Sequence, residues 1–386
     1  MSFLEESDAL HARVRAFART ALAGAPAESF DDLAADIARH QAAHIPGFWR
    51  LVEAQGRPIE DAASIPPVPV DAFRLTRVAV QPAELDAARF VTSGTTSDAR
   101  GLHAMRTTKT YRELSLASGV PALGCDPSRR HVVVALAPDP GSPITSSLAF
   151  MMHAFMEALD GRSLGDGSPA RFEDDVTDRW LVGPGGADLA GLERAVSAAR
   201  ERDEPLVVLS TSFALALLVE SCPRRLAAPP GSVVMTTGGF KGRTREIAAD
   251  VLASRAAALF DVPESRIVGE YGMTELTSQL YERSSATTAA RTPGLDVRSA
   301  RAVFVPPPWL RVTPVDAATL APVPVGEVGI ARFVDLGNVD SAVAIVTQDE
   351  VRAAGDGVTL LGRRAGAAAR GCSLAIEEMM LEGSRG

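Results

Sequence analysis

Lysine is nearly missing from this chain: of its 39 basic residues only Lys109 and Lys241 are lysines. The arginine bias excludes any chemistry that needs a lysine near the C-terminal end. Cysteine is scarce too. Cys125, Cys222 and Cys372 form neither metal-ligand spacings nor an even disulfide framework, and a reducing cytoplasm is the simplest compartment for them. No apolar run approaches about 18 residues, so no membrane span is expected. The N-terminus lacks the basic-then-apolar order of a signal peptide. Positive charge is also short: the formal net charge is −9, which argues against nucleic acid as a partner, because phosphate backbones need a basic stripe. A nucleotide is not excluded, since a few backbone N–H groups hold one. The G-x-x-x-x-G-K spacing of a Walker loop is absent.

What is present is a globular composition, 46% hydrophobic and 23% charged over 386 residues, ample for a core and for one to three domains. Residues 1–60 read as a helical N-terminal region. Phe30, Leu33, Ile37 and His40 recur at helical spacing after Ser29, a candidate N-cap. Prolines make Ile65–Phe73 an extended connector. Residues 61–361 then alternate strands (131–139, 205–213, 232–240, 265–272) with apolar helices (147–159, 213–219 and about 244–260), and turn strand-rich after about 300. Near-continuous apolar strands between helices predict an α/β fold, a mixed or parallel sheet covered on both faces. Residues 362–386 form a short, glycine-containing segment expected to be mobile.

Ligands of such sheets bind beyond the carboxyl ends of strands, and three polar, glycine-containing loops are placed there. In 92–101, Ser93, Gly94, Thr95, Thr96 and Ser97 gather hydroxyls and N–H groups that suit a triphosphate; a plain Ser/Thr/Gly turn reads the same way. A second loop, 237–242, carries Gly238, Gly239 and Lys241, whose charge is either a phosphate neutraliser or a solvated surface group. In 269–275, Tyr271 offers a face for a purine and Gly272 and Met273 an approach to the backbone. Thr274 offers a hydroxyl for phosphate, and Glu275 a carboxylate for Mg²⁺. The alternative is a strand-to-helix turn decorated by an acidic residue. Helix 147–159, rich in Met and Phe, is either a core helix or the wall of an apolar channel.

Thr92–Ser97 and Tyr271–Glu275 resemble the S/T-S-G-S/T-T-G and Y-G-x-T-E motifs of the adenylate-forming superfamily, with Ser97 where glycine is usual. Thr347-Gln348-Asp349 resembles the T-G-D whose aspartate binds ribose, and Gly362-Arg363 the G-R that follows. Thr237–Gly242, Ile65–Phe73, Gly141-Ser142-Pro143 and Arg370-Gly371-Cys372-Ser373-Leu374 are similar to the acyl-protein synthetase (LuxE) family, related to phenylacetate–CoA ligases. The resemblance spans about residues 25–380. It implies ATP and Mg²⁺ as cofactors, nucleotide contacts from the three loops, Asp349 and Arg363, and a fatty or other apolar carboxylic acid as substrate. It also implies Cys372 as acyl acceptor and an acyl-CoA-reductase-like protein as the next acyl carrier.

The ending separates alternatives. Relatives that make CoA thioesters bring in a lysine from a longer C-terminal domain, whereas none of the 23 residues after Arg363 is lysine. Cys372 is therefore either an acyl-accepting thiolate, with Arg363, Arg364 and Arg370 to lower its pKa and Gly362, Gly366 and Gly371 to let it swing, or a small buried residue. The expected activity is activation of a carboxylic acid as acyl-adenylate, then transfer to Cys372. The competing readings are an AMP-forming CoA ligase and a degenerate nucleotide-binding scaffold.

Overall fold

The structure, a computed structural model, describes residues 2–92, 100–160, 162, 177–238, 247–283, 302–364 and 370–380. Three helices open the chain: α1 (Phe3–Leu22), α2 (Phe30–His44) and α3 (Pro46–Gln55). Ser2 and Glu5 close a capping box on α1, each side chain reaching the other's backbone N–H. Ser29 caps α2 as expected, accepting from the N–H groups of Asp31 and Asp32, and Phe30, Leu33, Ile37 and His40 are all buried. A buried polar network docks α1. Asp340 accepts from Ser7 Oγ at 2.6 Å and lies 2.7 Å from His11 Nε2.

The proline-rich connector supplies strand β1 (Val68–Pro69) and a short helix α4 (Ala72–Leu75). Next come an antiparallel pair, β2 (Ala88–Val91) and β3 (Leu102–Met105), and helix α5 (Lys109–Ala122). The alternating region follows: β4 (Val132–Pro138), α6 (Ser147–Leu159), β5 (Trp180–Gly183), β6 (Gly186–Ala187), α7 (Leu189–Glu201), β7 (Leu206–Thr211) and α8 (Ser212–Ser221). It continues through β8 (Val233–Thr237), α9 (Ala249–Phe260) and β9 (Ile267–Tyr271). The later strands are β10 (Leu280–Glu282), β11 (Val303–Val305), β12 (Leu310–Val315), β13 (Val328–Asp335), β14 (Ala344–Ala354) and β15 (Gly357–Arg363), and helix α10 (Arg370–Met380) completes the described chain.

Among the described residues, thirteen strands join one mixed sheet in the order β12-β13-β14-β15-β11-β10-β9-β8-β7-β4-β5-β6, with β1 parallel to β14. The run β5-β4-β7-β8-β9 is parallel. Its strands are apolar on both faces because both are covered. Val133, Ala135, Val207, Leu209 and Met235 pack toward α6, while Val132, Val134, Leu136, Val208 and Val234 pack toward residues of α7, α8 and α9. The period-2 alternation of a strand divides one apolar run between two cores.

Three boundaries differ from expectation. Helix α9 starts at Ala249; residues 239–246, including Gly239 and Lys241, lie outside the described residues. The 92–101 loop, expected after a strand of the main sheet, joins β2 to β3 of the small separate pair instead. Gly362 and Arg363 belong to β15, paired with β14, rather than to a separate segment. No helix among the described residues is long and apolar enough to cross a membrane.

Candidate functional site

Parallel register brings three strand ends into one row: Thr211 pairs with Thr237, and Thr237 with Glu270. Thr237 Oγ1 donates to Glu270 across the two strands, and Ser212 Oγ donates to Gly238 O at 2.5 Å. The 237–238 and 269–275 stretches thus leave the same edge of the sheet. Gly272 has a direct steric reason: a Cβ there would lie 2.6 Å from Glu270 Oε1.

Residues 274–278 are held by polar groups from elsewhere in the chain. Asn338 Nδ2 donates to Glu275 O at 2.9 Å. The Asp335 carboxylate accepts from the backbone N–H groups of Thr277, Ser278 and Gly337, each at 2.9 Å, and from Ser278 Oγ at 2.7 Å. Burial nevertheless pushes Asp335 up to about 6. His103 on β3 supplies the link to the other loop. Its Nδ1 lies 2.7 Å from Thr274 O and its Nε2 2.9 Å from Ser341 Oγ. The carbonyl can only accept, so Nδ1 carries the proton. Burial holds this ring down to about 4, hence neutral at ordinary pH.

Ser93, Gly94, Thr95, Thr96 and Ser97 lie outside the described residues, but the base of their loop is described. Thr92 N–H donates to Gly101 O, and Gly101 N–H to Thr92 Oγ1, both at 2.9 Å. Two residues beyond Gly101 stands His103. The base of the 92–101 loop and the 269–275 stretch therefore lie on the same side of the molecule, joined by one side chain.

The remaining groups come from β14, β15 and α4. Tyr271 Oη donates to Asp349 Oδ2 at 2.7 Å, while its ring stacks on Phe333 with centroids 6.0 Å apart. Asp349 pairs in register with Arg363, so the two segments singled out around 347–349 and 362–363 face one another on adjacent strands. Glu275 is buried, and its carboxyl is pushed up to about 7. Burial is the main cause; the charges of Asp71 and Asp349 add to it, and Arg363 opposes it. Glu270 is likewise driven to about 7 by burial, against the hydrogen bond from Thr237. Thr274 and Met273 beside them are half-buried.

Asp71, His103 and Glu270 are site residues that motif reading missed. Glu270 stands inside the quoted loop, and Asp71 inside the proline-rich connector, yet nothing in their local sequence distinguishes them from surface carboxylates. Only Gln348 Nε2, 3.4 Å from Asp71 Oδ2, and the shared field on Glu275 reveal the placement.

Cys372 requires a correction. It lies on α10, 2% exposed, packed with Val315, Ile330 and Val346. Burial, then the Asp71 charge, pushes its thiol up to about 11, the reverse of the arginine-lowered value expected, and at neutral pH it is protonated. Gly371 serves close packing rather than swing: a Cβ there would lie 2.7 Å from Leu320 Cγ, and its N–H donates to Ala317 O at 3.0 Å. Arg50 of α3 donates to the carbonyls of Glu378 and Met379, tying down the far end of α10. On α6, Met151, Met152, Phe155 and Met156 fill the core with Phe90, Tyr111 and Tyr281, as a core helix would.

No protein-family model and no curated protein matches the sequence. Solved structures do match in fold. An open conformation of 2-hydroxyisobutyryl-CoA ligase, in complex with 2-HIB-AMP and CoA, aligns with a TM-score of 0.55 and 14% identity over 85% of this chain and 73% of that one. The same ligase in the thioesterification state aligns at 0.54 and 14% identity over 94% of this chain and 69% of that one. ATP-bound MatB from Rhodopseudomonas palustris gives 0.44 at 15% identity, with 74% of this chain and 49% of that one covered, so this chain spans about half of MatB. The architecture, a large mixed sheet covered by helices, is an α/β fold similar to that of 2-hydroxyisobutyryl-CoA ligase.

Proposed function

We propose that this protein activates a carboxylic acid with ATP, forming an acyl-adenylate and releasing pyrophosphate. One observation carries the reading: His103, two residues beyond the base of the 92–101 loop, lies against the Thr274 carbonyl, in the stretch that holds Tyr271 and Glu275. A substrate carboxylate is already ionised at neutral pH, so the step needs alignment and relief of charge rather than a base. In this reading Tyr271 and Gly272 flank the adenine and Asp349 accepts from the ribose hydroxyls. Thr274 and the N–H groups of residues 93–97 take the phosphates, with Gly238, Gly239, Met273, Lys241 and Arg363 around them.

The donor set suits Mg²⁺. Glu275 is a buried carboxyl within the field of two further carboxylates, and an adjacent cation restores the anion that burial disfavours. Glu275 would hold the ion, which supplies neutralisation of phosphate charge. Asp71 and Asp349 add negative potential at that position.

Transfer to Cys372, as in the acyl-protein synthetases, is the second step of the proposal. It is supported by Asp71, whose charge acts on both Glu275 and Cys372. The sulfur therefore sits within electrostatic reach of Asp71 and packs on Val346 of β14, three residues before Asp349, although α10 must expose it before it reacts. The thiolate would attack the mixed anhydride and expel AMP, leaving a thioester for an acyl-CoA-reductase-like partner. An apolar, fatty acid is the substrate class that this relay favours.

The test is carboxylate-dependent exchange of labelled pyrophosphate into ATP over a panel of acids, followed by intact mass. The expected result is acid-dependent exchange, nearly lost in Glu275→Gln, and a hydroxylamine-labile adduct absent from Cys372→Ala, whose exchange persists. No exchange with any acid refutes the activation. Exchange with acyl-CoA release on adding CoA, unchanged by Cys372→Ala, replaces the second step with a CoA ligase.

A further inference from the structure

Outside that site, helices α1 and α2 bring together Glu6, His40 and His44. The two histidines are four apart on one helix, so they project from the same face one turn apart, with ring centroids separated by 4.8 Å. Glu6 faces them from α1. One ligand atom from each of the three residues can be chosen so that all lie within 4.8 Å of one another.

His40 is the informative member. Its side chain is fully buried, yet neither ring nitrogen has a hydrogen-bond partner among the described residues. Glu6 Oε2 approaches Nδ1 to 3.2 Å, close enough for charge but poorly aligned for a hydrogen bond. Two orphaned nitrogens in a buried ring are costly, and such a group calls for a ligand or a further partner. Phe3 walls the cluster, its ring parallel to His40 at 6.4 Å and tilted against His44 at 5.3 Å. The capping box at Ser2 and Glu5 fixes Phe3 at the first position of α1. Glu6, half-exposed, leaves an approach from solvent.

We infer that Glu6, His40 and His44 form a binding site for a divalent transition-metal ion of the zinc or cobalt class. Two imidazoles and one carboxylate are borderline ligands. They favour Zn²⁺, Co²⁺ or Ni²⁺ over Mg²⁺ and Ca²⁺, which prefer an all-oxygen shell. Bonds of about 2.0–2.1 Å place tetrahedral ligand atoms about 3.4 Å apart, so closure from 4.8 Å asks for side-chain rotation rather than helix movement. Water would complete the shell, the half-exposed Glu6 leaving solvent access to it. The ion would pin the start of α1 to the end of α2. This site is separate from the nucleotide residues, and the inference does not depend on the adenylation reading.

The experiment uses the untagged full chain stripped with EDTA. Co²⁺ is added while the visible d–d band is recorded, and Zn²⁺ affinity is measured by competition with a chromophoric chelator. One equivalent of Co²⁺ should give a saturable band without thiolate charge transfer, displaced by Zn²⁺ and not by millimolar Mg²⁺. His44→Ala and Glu6→Gln, both at partly exposed positions, should each weaken Zn²⁺ binding at least about 10-fold. Cys222→Ala and Glu275→Gln should leave it unchanged. Melting of the metal-free variants checks that they are folded, and Zn²⁺ should raise the melting temperature of the unsubstituted chain but of neither ligand variant. Absence of saturable binding overturns the inference. So does one-equivalent binding that both ligand variants retain, which puts the ion elsewhere, and so does displacement by Mg²⁺.

Discussion

Replacing Glu270 by glutamine should stabilise the ligand-free protein, and more so as pH rises. The carboxyl is buried and driven to about 7, against about 4.3 in an unfolded chain. A raised carboxyl means that the folded state binds more protons than the unfolded state between those values. Stability is therefore lost as pH climbs from about 4 to past 7, and no further loss follows. A tenfold difference in proton affinity between the two states is worth about 1.4 kcal/mol, so the penalty should grow by about 2–3 kcal/mol between pH 5 and pH 8. The glutamine variant would escape it, because a neutral amide oxygen still accepts from Thr237. An unfolding entropy of about 2.1 cal/mol/K per residue gives about 0.8 kcal/mol/K for a chain of this length. The melting temperature of Glu270→Gln should therefore gain about 3 °C on the unsubstituted protein between the two pH values. Scanning calorimetry in EDTA without nucleotide measures it. A difference independent of pH would refute the claim that burial keeps this group protonated.

Two further outcomes follow from the same geometry. Gly272→Ala places a methyl against Glu270 Oε1, and overpacking of this kind costs roughly 1–3 kcal/mol. Pyrophosphate exchange should fall at least about 10-fold and recover in part when Glu270→Asp is added, and an unimpaired Gly272→Ala protein would contradict the contact. Ellman's reagent at pH 7 should label the half-exposed Cys222 first and leave Cys125 and Cys372 nearly unreactive until denaturant is added. Both slow thiols are buried and pushed up to about 11. Rapid labelling of Cys372, read by peptide mass, would show that α10 opens readily.

Local sequence was enough wherever one element's own pattern decides. The Ser29 cap and the Phe30–Ile37 stripe make α2 without outside help. The apolar runs at 132–138 and 206–211 announce strands buried on both sides. The stretches at 271–275, 347–349 and 362–363 could be singled out by their resemblance to known motifs, and their nucleotide role is part of the proposed function. Tertiary structure alone decided matters of distance between remote residues. It put His103 against Thr274, Asp71 within the field of Glu275, and Asp349 opposite Arg363. These are 171, 204 and 14 positions apart in the chain, and no local periodicity encodes such meetings. It also decided the state of Cys372: nearby arginines in sequence suggested a thiolate, but packing against Val315, Ile330 and Val346 removes water from the sulfur, and that desolvation, with the Asp71 charge, raises the thiol instead.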